Sequence, residues 1–170
     1  MKDLKKIICC LGSTPEIFKT LLTKIDPEMY KKSNIPDKWS IHQHACHLAV
    51  GDKFGFLKRI KLFIDEDTLT ITPLSGESFP VDFFINMDLK SALEEFIVLR
   101  KKVLKVSNNI EYSLWDKEGD HPEYKIYTPY IMIRHLLMHD FHHLYKWHIS
   151  QRIFSIPDRE SGDQNMQFPN

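Results

Sequence analysis

The sequence has few cysteines, and their arrangement bounds the kind of protein it encodes. Its three cysteines are Cys9, Cys10 and Cys46, and no two of them form a CxxC pair. An odd number of unpaired thiols suits a reducing compartment better than a secreted disulfide framework. We interpret the adjacent Cys9 and Cys10 as core or half-buried thiols, with a redox-active pair as the alternative.

Net charge and long apolar runs are also missing. Lysine plus arginine and aspartate plus glutamate both number 23, so no positive field attracts nucleic acid or an anionic membrane. The run "IICCL" is too short for a signal sequence, and no stretch approaches the roughly 20 apolar residues of a membrane span. Glycine-rich phosphate loops, nucleophile elbows and repeats are absent too. We therefore expect a cytoplasmic protein with neither a nucleic acid nor a membrane as partner.

Four stretches show the periodicity of helices. The first, "STPEIFKTLLTKI", has a cap at its start and Pro15 in its first turn. A separate short helix over 4–11 precedes it and is broken at Gly12. The second predicted helix runs over 40–64 and opens with a capping box at Ser40.

The third and fourth predicted helices also carry their own start signals. The third begins after Asp88 as its cap and ends at Asn109, and the fourth has Thr128 as its cap and Pro129 in its first turn. The sequence therefore predicts an all-α fold, a four-helix bundle with long crossover connections.

Two irregular connections separate these helices. The segment 65–87 predicts a crossover with one short extended piece, which serves either as a lid over a site or as a plain tether. A turn or hairpin is predicted around 117–122. We expect a single domain over 1–156 and a polar C-terminal tail over 157–170.

The segment "RHLLMHDFHHLYKWH" holds five of the nine histidines. At about 100° per residue, His139 and His143 lie on one flank of the apolar stripe and one turn apart, which is the geometry of a helical metal site. The same projection places His135 and His142 on the solvated face. Since pairs of histidines at this spacing also arise by chance, the pair alone indicates a metal site only weakly.

Asp140 lies at the centre of the apolar stripe, where a carboxylate needs a partner. Two roles satisfy that need. The carboxylate can orient a ligand imidazole through its second nitrogen, or it can bond to a helix terminus or an arginine.

The second predicted helix offers a third ligand. His47 lies at the edge of its apolar stripe, whereas His44 points to the polar face and His42 lies in the first turn, where fraying disfavours a rigid ligand. The candidate metal ligands are therefore His47, His139 and His143. Three neutral imidazoles leave an open position on a divalent ion, and both zinc and nickel suit them.

The stretches "KWSIHQHACHLAVGD" (38–52) and "HDFHH" (139–143) resemble the DinB-like (YfiT-like) superfamily of four-helix metalloproteins. The resemblance extends over about residues 4–153. It implies a bundle with long crossovers and a divalent metal held by one histidine of the second helix and two of the fourth. Characterised relatives include thiol-dependent transferases and isomerases that use bacillithiol, mycothiol or glutathione.

These observations predict a metal-dependent enzyme acting on a small molecule. Thiol S-transfer, with a low-molecular-weight thiol, is expected first and hydrolysis second. The alternative is a non-catalytic metal-binding or dimerising stress-response bundle, and a homodimer is compatible with the sequence. Six residues can contact an anionic or aromatic ligand, although each also suits a surface or packing role: Lys53, Lys58, Arg59, Arg100, Trp115 and Tyr130.

Overall fold

The computed structural model describes residues 2–33, 36, 38–74, 78–80 and 82–152. The predicted tail over 157–170 lies outside the described residues, and the domain boundary at 156 stays a prediction. The helices are α1 (Lys2–Leu22), α2 (Pro27–Tyr30), α3 (Ile41–Val50), α4 (Leu57–Asp65), α5 (Leu89–Asn109) and α6 (Pro129–Arg152). A π-helical segment (Gly51–Phe56) joins α3 to α4, so the bundle consists of α1, the continuous α3 to α4 helix, α5 and α6.

Helix α1 is longer than predicted, because it continues through both Gly12 and Pro15. A proline inside a helix removes the amide that would bond to the carbonyl four residues earlier, here that of Leu11. The hydroxyl of Thr14 lies 3.0 Å from this carbonyl, and Arg100 donates to it at 3.3 Å. These side chains replace the missing amide, so the helix continues through Pro15, and the break predicted at Gly12 does not occur.

The predicted second helix forms with its Ser40 capping box, but a π-helical segment interrupts it. A π-helical turn takes more residues than an α-helical one, so the faces of the helix rotate beyond Gly51. Phe54 and Ile64, which the uniform period places on or beside the apolar stripe, are 50% and 40% exposed.

The apolar core consists of two clusters, and a polar layer lies between them along each helix. Leu11, Phe56, Val103 and Leu136 belong to the first cluster. Phe18, Val50, Phe96 and Trp147 belong to the second cluster. Helices α1 and α6 therefore run from the first cluster to the second, whereas α3 to α4 and α5 run the other way. Two consecutive helices of like direction require the connection between them to travel the length of the bundle.

The two long connections meet at a small sheet. Strands β1 (Gly119–His121) and β2 (Tyr124–Tyr127) form the predicted hairpin, and Thr70 of the crossover bridges to Asp120 beside it. Ile71 donates its amide to the Asp120 carbonyl at 2.7 Å. Within the described residues, no helix is long and apolar enough to cross a membrane.

Candidate metal centre

The imidazoles of His47, His139 and His143 meet between α3 and α6. The Nε2 atoms of His47 and His139 lie 3.1 Å apart, and those of His139 and His143 lie 3.2 Å apart. One ligand nitrogen from each residue lies within 4.8 Å of the other two. The structure thus brings together the three residues chosen from the sequence, while their role as ligands stays a prediction.

The backbone explains why these rings converge. His139 and His143 are one turn apart on α6, so both side chains leave the same flank of the helix. His47 belongs to the last turn of α3, nine of whose ten residues are buried. Its ring packs against Phe84 of the crossover, with the ring centres 5.3 Å apart. Each imidazole is therefore fixed by a regular helix rather than by a loop.

The chemistry of these nitrogens suits a cation. Burial lowers the pKa of His47 to about 4, and it lowers the pKa of both His139 and His143 far below the usual value. All three rings are consequently neutral near pH 7, which is the form that binds a metal.

The spacing of the nitrogens and their hydrogen bonding also suit a metal. Two nitrogens bound to one zinc ion at a tetrahedral angle lie about 3.3 Å apart, close to the two observed separations. Among the described residues, the Nδ1 atoms of His47 and His139 are buried without a hydrogen-bond partner. Because a neutral imidazole has one donor and one acceptor, three Nε2 atoms that face each other cannot all be paired by protons. A cation would satisfy all three lone pairs at once.

His44 and Trp39 pack behind the candidate ligands. The Nδ1 atoms of His44 and His143 lie 2.8 Å apart, so one of the two donates a proton to the other. A proton on Nδ1 of His143 leaves the lone pair of its Nε2 directed at the cluster. The Trp39 ring centre lies 5.4 Å from that of His44 and 5.0 Å from that of His47.

The sequence-based placement of His44 on a polar face is wrong. Its side chain is buried, because Trp39 and α6 cover the side of α3 that the period assigns to solvent. His42 is also buried rather than frayed, and its Nε2 lies 3.1 Å from the Phe84 carbonyl. Helical periodicity does not reveal that a loop covers the second side of a helix.

Asp140 is fully buried and pairs with an arginine, one of the two roles open to it. Arg100 donates to both carboxylate oxygens of Asp140 and to both oxygens of Asp52, the latter at 2.9 and 3.0 Å. Thr14 accepts a hydrogen bond from Arg100 at 2.7 Å. We call Thr14, Asp52, Arg100 and Asp140 the arginine network. It forms the polar layer of the core, and no hydrogen bond joins Asp140 to an imidazole among the described residues.

We call His47, His139 and His143 the histidine cluster. A cavity of about 250 Å³ adjoins it. His47 and His139 form part of its wall. The remaining lining residues are Gly51, Gly55, Phe56, Arg59, Pro73, Leu74, His121, Glu123 and His135. A larger cavity of about 730 Å³ is lined by His42 but by none of the three clustered histidines. The smaller cavity is therefore the one with access to the candidate metal centre.

His135 is a pocket residue that the helical projection misassigned to the solvated face. It is half-buried against the rings of Phe56 and Tyr124. The hairpin and the π-helical segment cover that part of α6, whereas His142 is exposed as predicted. A signal was present in the sequence, since His135, His139 and His143 follow one another at four-residue intervals. His121 carried no comparable signal.

The other residues that the sequence offers for contact with an anionic or aromatic ligand lie in different environments. Arg59 lines the cavity, while Lys53 forms a surface ion pair with Glu95 at 2.7 Å and Trp115 is buried in the apolar core. Lys58 is exposed, and Tyr130 packs against the first cluster.

The cysteines do not reach the site. Cys9 and Cys10 are exposed, so the interpretation of them as core or half-buried thiols is wrong. Burial raises the pKa of the Cys46 thiol to about 12. A thiol with so high a pKa stays protonated near pH 7, so Cys46 does not supply a thiolate.

Known proteins are similar to this chain in sequence pattern and in fold. The model of the DinB superfamily matches residues 11–145. The chain is also similar to YfiT from Bacillus subtilis, described as a probable metal-dependent hydrolase with an unusual four-helix bundle topology. The TM-score is 0.80 at 19% identity, and the match covers 91% of this chain and 89% of that one. No curated protein matches.

Proposed function

The chain belongs to the DinB superfamily, and we propose that it is a divalent-metal-dependent enzyme that hydrolyses a small substrate. The observation that carries this proposal is the convergence of three neutral imidazoles, two of them buried and that of His139 half-buried, beside a cavity of about 250 Å³. Their donor set fits a zinc or nickel ion.

His47, His139 and His143 would hold the ion. A divalent ion bound in this way supplies Lewis-acid chemistry and lowers the pKa of a water or a thiol in its open position. His44 orients His143 through the 2.8 Å contact between their Nδ1 atoms. Phe56 and Phe84, which pack on the rings of His139 and His47, keep bulk water away from the cluster.

His135 is the candidate for proton transfer. It lies one turn before His139 on α6, lines the same cavity, and its Nδ1 is buried without a partner among the described residues. Burial lowers its pKa, with a contribution from the positive charge of Arg59, so the ring is neutral near pH 7. A neutral imidazole in the cavity can accept a proton from the attacking nucleophile and return it to the leaving group.

The size of the cavity favours hydrolysis over thiol transfer. Pockets for drug-sized ligands occupy about 300–1,000 Å³, and this cavity of about 250 Å³ is smaller. A small substrate and a water fit into it more readily than a tripeptide-sized thiol together with its electrophile. The description of YfiT as a probable hydrolase supports the same choice. Thiol S-transfer, which the family resemblance favoured, uses the same centre and is the second candidate.

Metal analysis and a substrate panel test this proposal. Protein purified without an affinity tag should contain about one divalent ion per chain by elemental analysis. After chelation, zinc and nickel should each be tested for restored hydrolysis of small esters and amides. A parallel series with low-molecular-weight thiols and monochlorobimane tests transfer.

A pair of matched variants decides whether the cluster is responsible. His139→Ala should abolish metal binding and turnover while the protein stays folded. His142→Ala, which removes an exposed histidine of the same helix, should retain both. A folded protein that binds no divalent ion, or an activity that survives in His139→Ala, would contradict the proposal. A tightly bound metal without turnover on esters, amides or thiols would indicate the non-catalytic alternative.

A further inference from the structure

Arg59 is a buried cation on the wall of the cavity beside the histidine cluster. The residue is 7% exposed and belongs to α4. Its guanidinium carbon lies 5.7 Å from the ring centre of Phe56, which holds the side chain in place. Among the described residues, no carboxylate lies within ion-pair distance of it.

Most of the hydrogen-bonding capacity of this guanidinium is unused by the described part of the chain. Nη2 donates to the Thr72 carbonyl at 3.0 Å, and Nη1 makes a long contact of 3.5 Å with the Tyr127 hydroxyl. A guanidinium has five N–H donors, so three of them have no partner among these residues. Arg100 differs, because two carboxylates, a hydroxyl and a carbonyl occupy its donors.

A buried charge without a counter-ion is costly, and a planar guanidinium is well suited to bind an oxyanion through two parallel hydrogen bonds. His121 and His135 line the same cavity and can add neutral hydrogen-bond donors. Glu123 also lines it, but its side chain is exposed. The cavity therefore has a cationic wall next to the imidazole wall formed by His47 and His139.

We propose that Arg59 binds the oxyanion group of a small organic anion, a carboxylate or a phosphate ester, and so orients it towards the histidine cluster. The inference depends on the proposed function only where it calls this anion the substrate. It predicts that the enzyme prefers acidic substrates to neutral ones of the same shape. The competing explanation is that Arg59 only tethers the crossover to the bundle through Thr72 and Tyr127.

Ligand binding to the metal-free protein tests the inference separately from catalysis. After chelation, benzoate, its neutral analogue benzamide and inorganic phosphate should be titrated by calorimetry. We expect benzoate or phosphate to bind at least about tenfold more tightly than benzamide, as expected for a charge-assisted pair. Whichever of the two anions binds more tightly identifies the ligand group as a carboxylate or a phosphate. Because the metal is absent, an anion bound to the ion itself cannot imitate this result.

Arg59→Met should remove the preference for the anion and leave the affinity for benzamide within about twofold. Arg134→Met removes an exposed arginine of α6 and should keep the wild-type preference. If Arg59→Met does not fold, nuclear magnetic resonance provides a second test. The Nε–H resonance of Arg59 is identified by its absence from the spectrum of Arg59→Lys. This resonance should shift when wild-type protein is titrated with the anion. A loss of stability in Arg59→Met with unchanged anion binding would support the tether instead.

The acidic residues of the chain provide the last control. A carboxylate of the chain that paired with Arg59 would compete with the added anion, and the two carboxylates to test are those of Glu123 and of Glu77, which lies outside the described residues. In that case Glu123→Gln or Glu77→Gln would bind benzoate, whereas wild-type protein would not. That result would overturn the inference. So would equal affinities for benzoate, phosphate and benzamide, even in a protein that hydrolyses neutral substrates with a bound metal.

Discussion

The arginine network and the histidine cluster are neighbouring groups of buried and half-buried polar side chains, but only the first has its hydrogen bonds completed without an added ion. In the network, the guanidinium of Arg100 is surrounded by the oxygens of Asp52, Asp140 and Thr14. In the cluster, like nitrogens face each other, and the Nδ1 atoms of His47 and His139 have no partner among the described residues.

This difference indicates what each group does. The members of the network come from all four helices of the bundle, so the network fixes their positions relative to one another. Satisfied polar groups of this kind specify a packing arrangement. The cluster comes from two helices and opens into a cavity. Unpaired polar groups beside a cavity are typical of a site that completes itself with a ligand.

The largest effect is expected from breaking the network. Arg100→Met leaves two carboxylates buried without their shared cation, and we expect the free energy of unfolding to fall by about 3–5 kcal/mol. Chemical denaturation followed by circular dichroism measures this loss. The triple variant Arg100→Met, Asp52→Leu, Asp140→Leu should recover much of it, because an apolar replacement leaves no buried charge. If Arg100→Met unfolds at the wild-type denaturant concentration, the network is not structural.

The cluster should behave in the opposite way when one of its members is removed. In metal-free protein, His47→Leu replaces an incompletely bonded polar group, and the free energy of unfolding should change by less than about 1 kcal/mol. Wild-type protein should gain about 4 kcal/mol when zinc is present at a thousandfold excess over its dissociation constant, and His47→Leu should gain almost none. Thermal unfolding with and without zinc measures both quantities. A large loss in the metal-free variant would mean that the cluster is structural as well.

Asp52 of the arginine network and His42, a buried histidine outside the cluster, should change the stability of the protein with pH in opposite directions. Burial and the nearby Asp140 raise the pKa of Asp52 from 3.8 to about 6, although Arg100 opposes this. A group whose pKa is raised by folding stabilises the protein fully below its unfolded pKa and loses that contribution as the pH rises through its folded pKa. Between pH 4 and 6, the stability of wild-type protein relative to Asp52→Asn should therefore fall by up to about 1.4 kcal/mol per pH unit.

His42 provides the contrasting control, because burial lowers its pKa. Its contribution is present above the unfolded pKa of 6.5 and is lost as the pH falls below that value. The stability of wild-type protein relative to His42→Gln should accordingly fall on acidification. Denaturation midpoints measured from pH 4 to 7.5 test both slopes. If the difference in stability between wild-type protein and Asp52→Asn stayed constant or grew as the pH rose from 4 to 6, Asp52 would be ionised over this range and the prediction would be wrong.

The same comparison shows how much the sequence could predict. The caps at Ser40, Asp88 and Thr128 act locally, and all three helix starts were predicted correctly. His139 and His143 needed only helical spacing, and His47 needed only its place at the edge of a stripe. These are properties of single helices, which periodicity describes well.

Features that depend on contacts between distant segments could not be predicted. The continuity of α1 through Pro15 requires Arg100 of α5 to bond to the Leu11 carbonyl. The role of Asp140 was left open between two partners, because residue spacing does not reveal which helix faces it. The burial of His44 and the position of His135 in the cavity depend on covering segments whose paths the sequence does not specify.

Two glycines allow the smallest but most direct test of whether the open space beside the histidine cluster serves function. Both lie in helices, and a Cβ atom added at either meets a side-chain carbon at 3.5 Å, which is ordinary contact: Leu104 for Gly12 and Cε1 of His139 for Gly51. Since alanine favours helix over glycine by up to about 1 kcal/mol, both Gly12→Ala and Gly51→Ala should be tolerated or stabilising. Only Gly51→Ala adds an atom to the wall of the cavity beside His139, so it alone should lower kcat/KM or metal affinity, by a few-fold.

Parallel denaturation and metal titration of the two variants measure the contrast. Equal behaviour of both would show that the space beside His139 is not needed for function, and a loss of stability in Gly51→Ala would assign this glycine to packing instead.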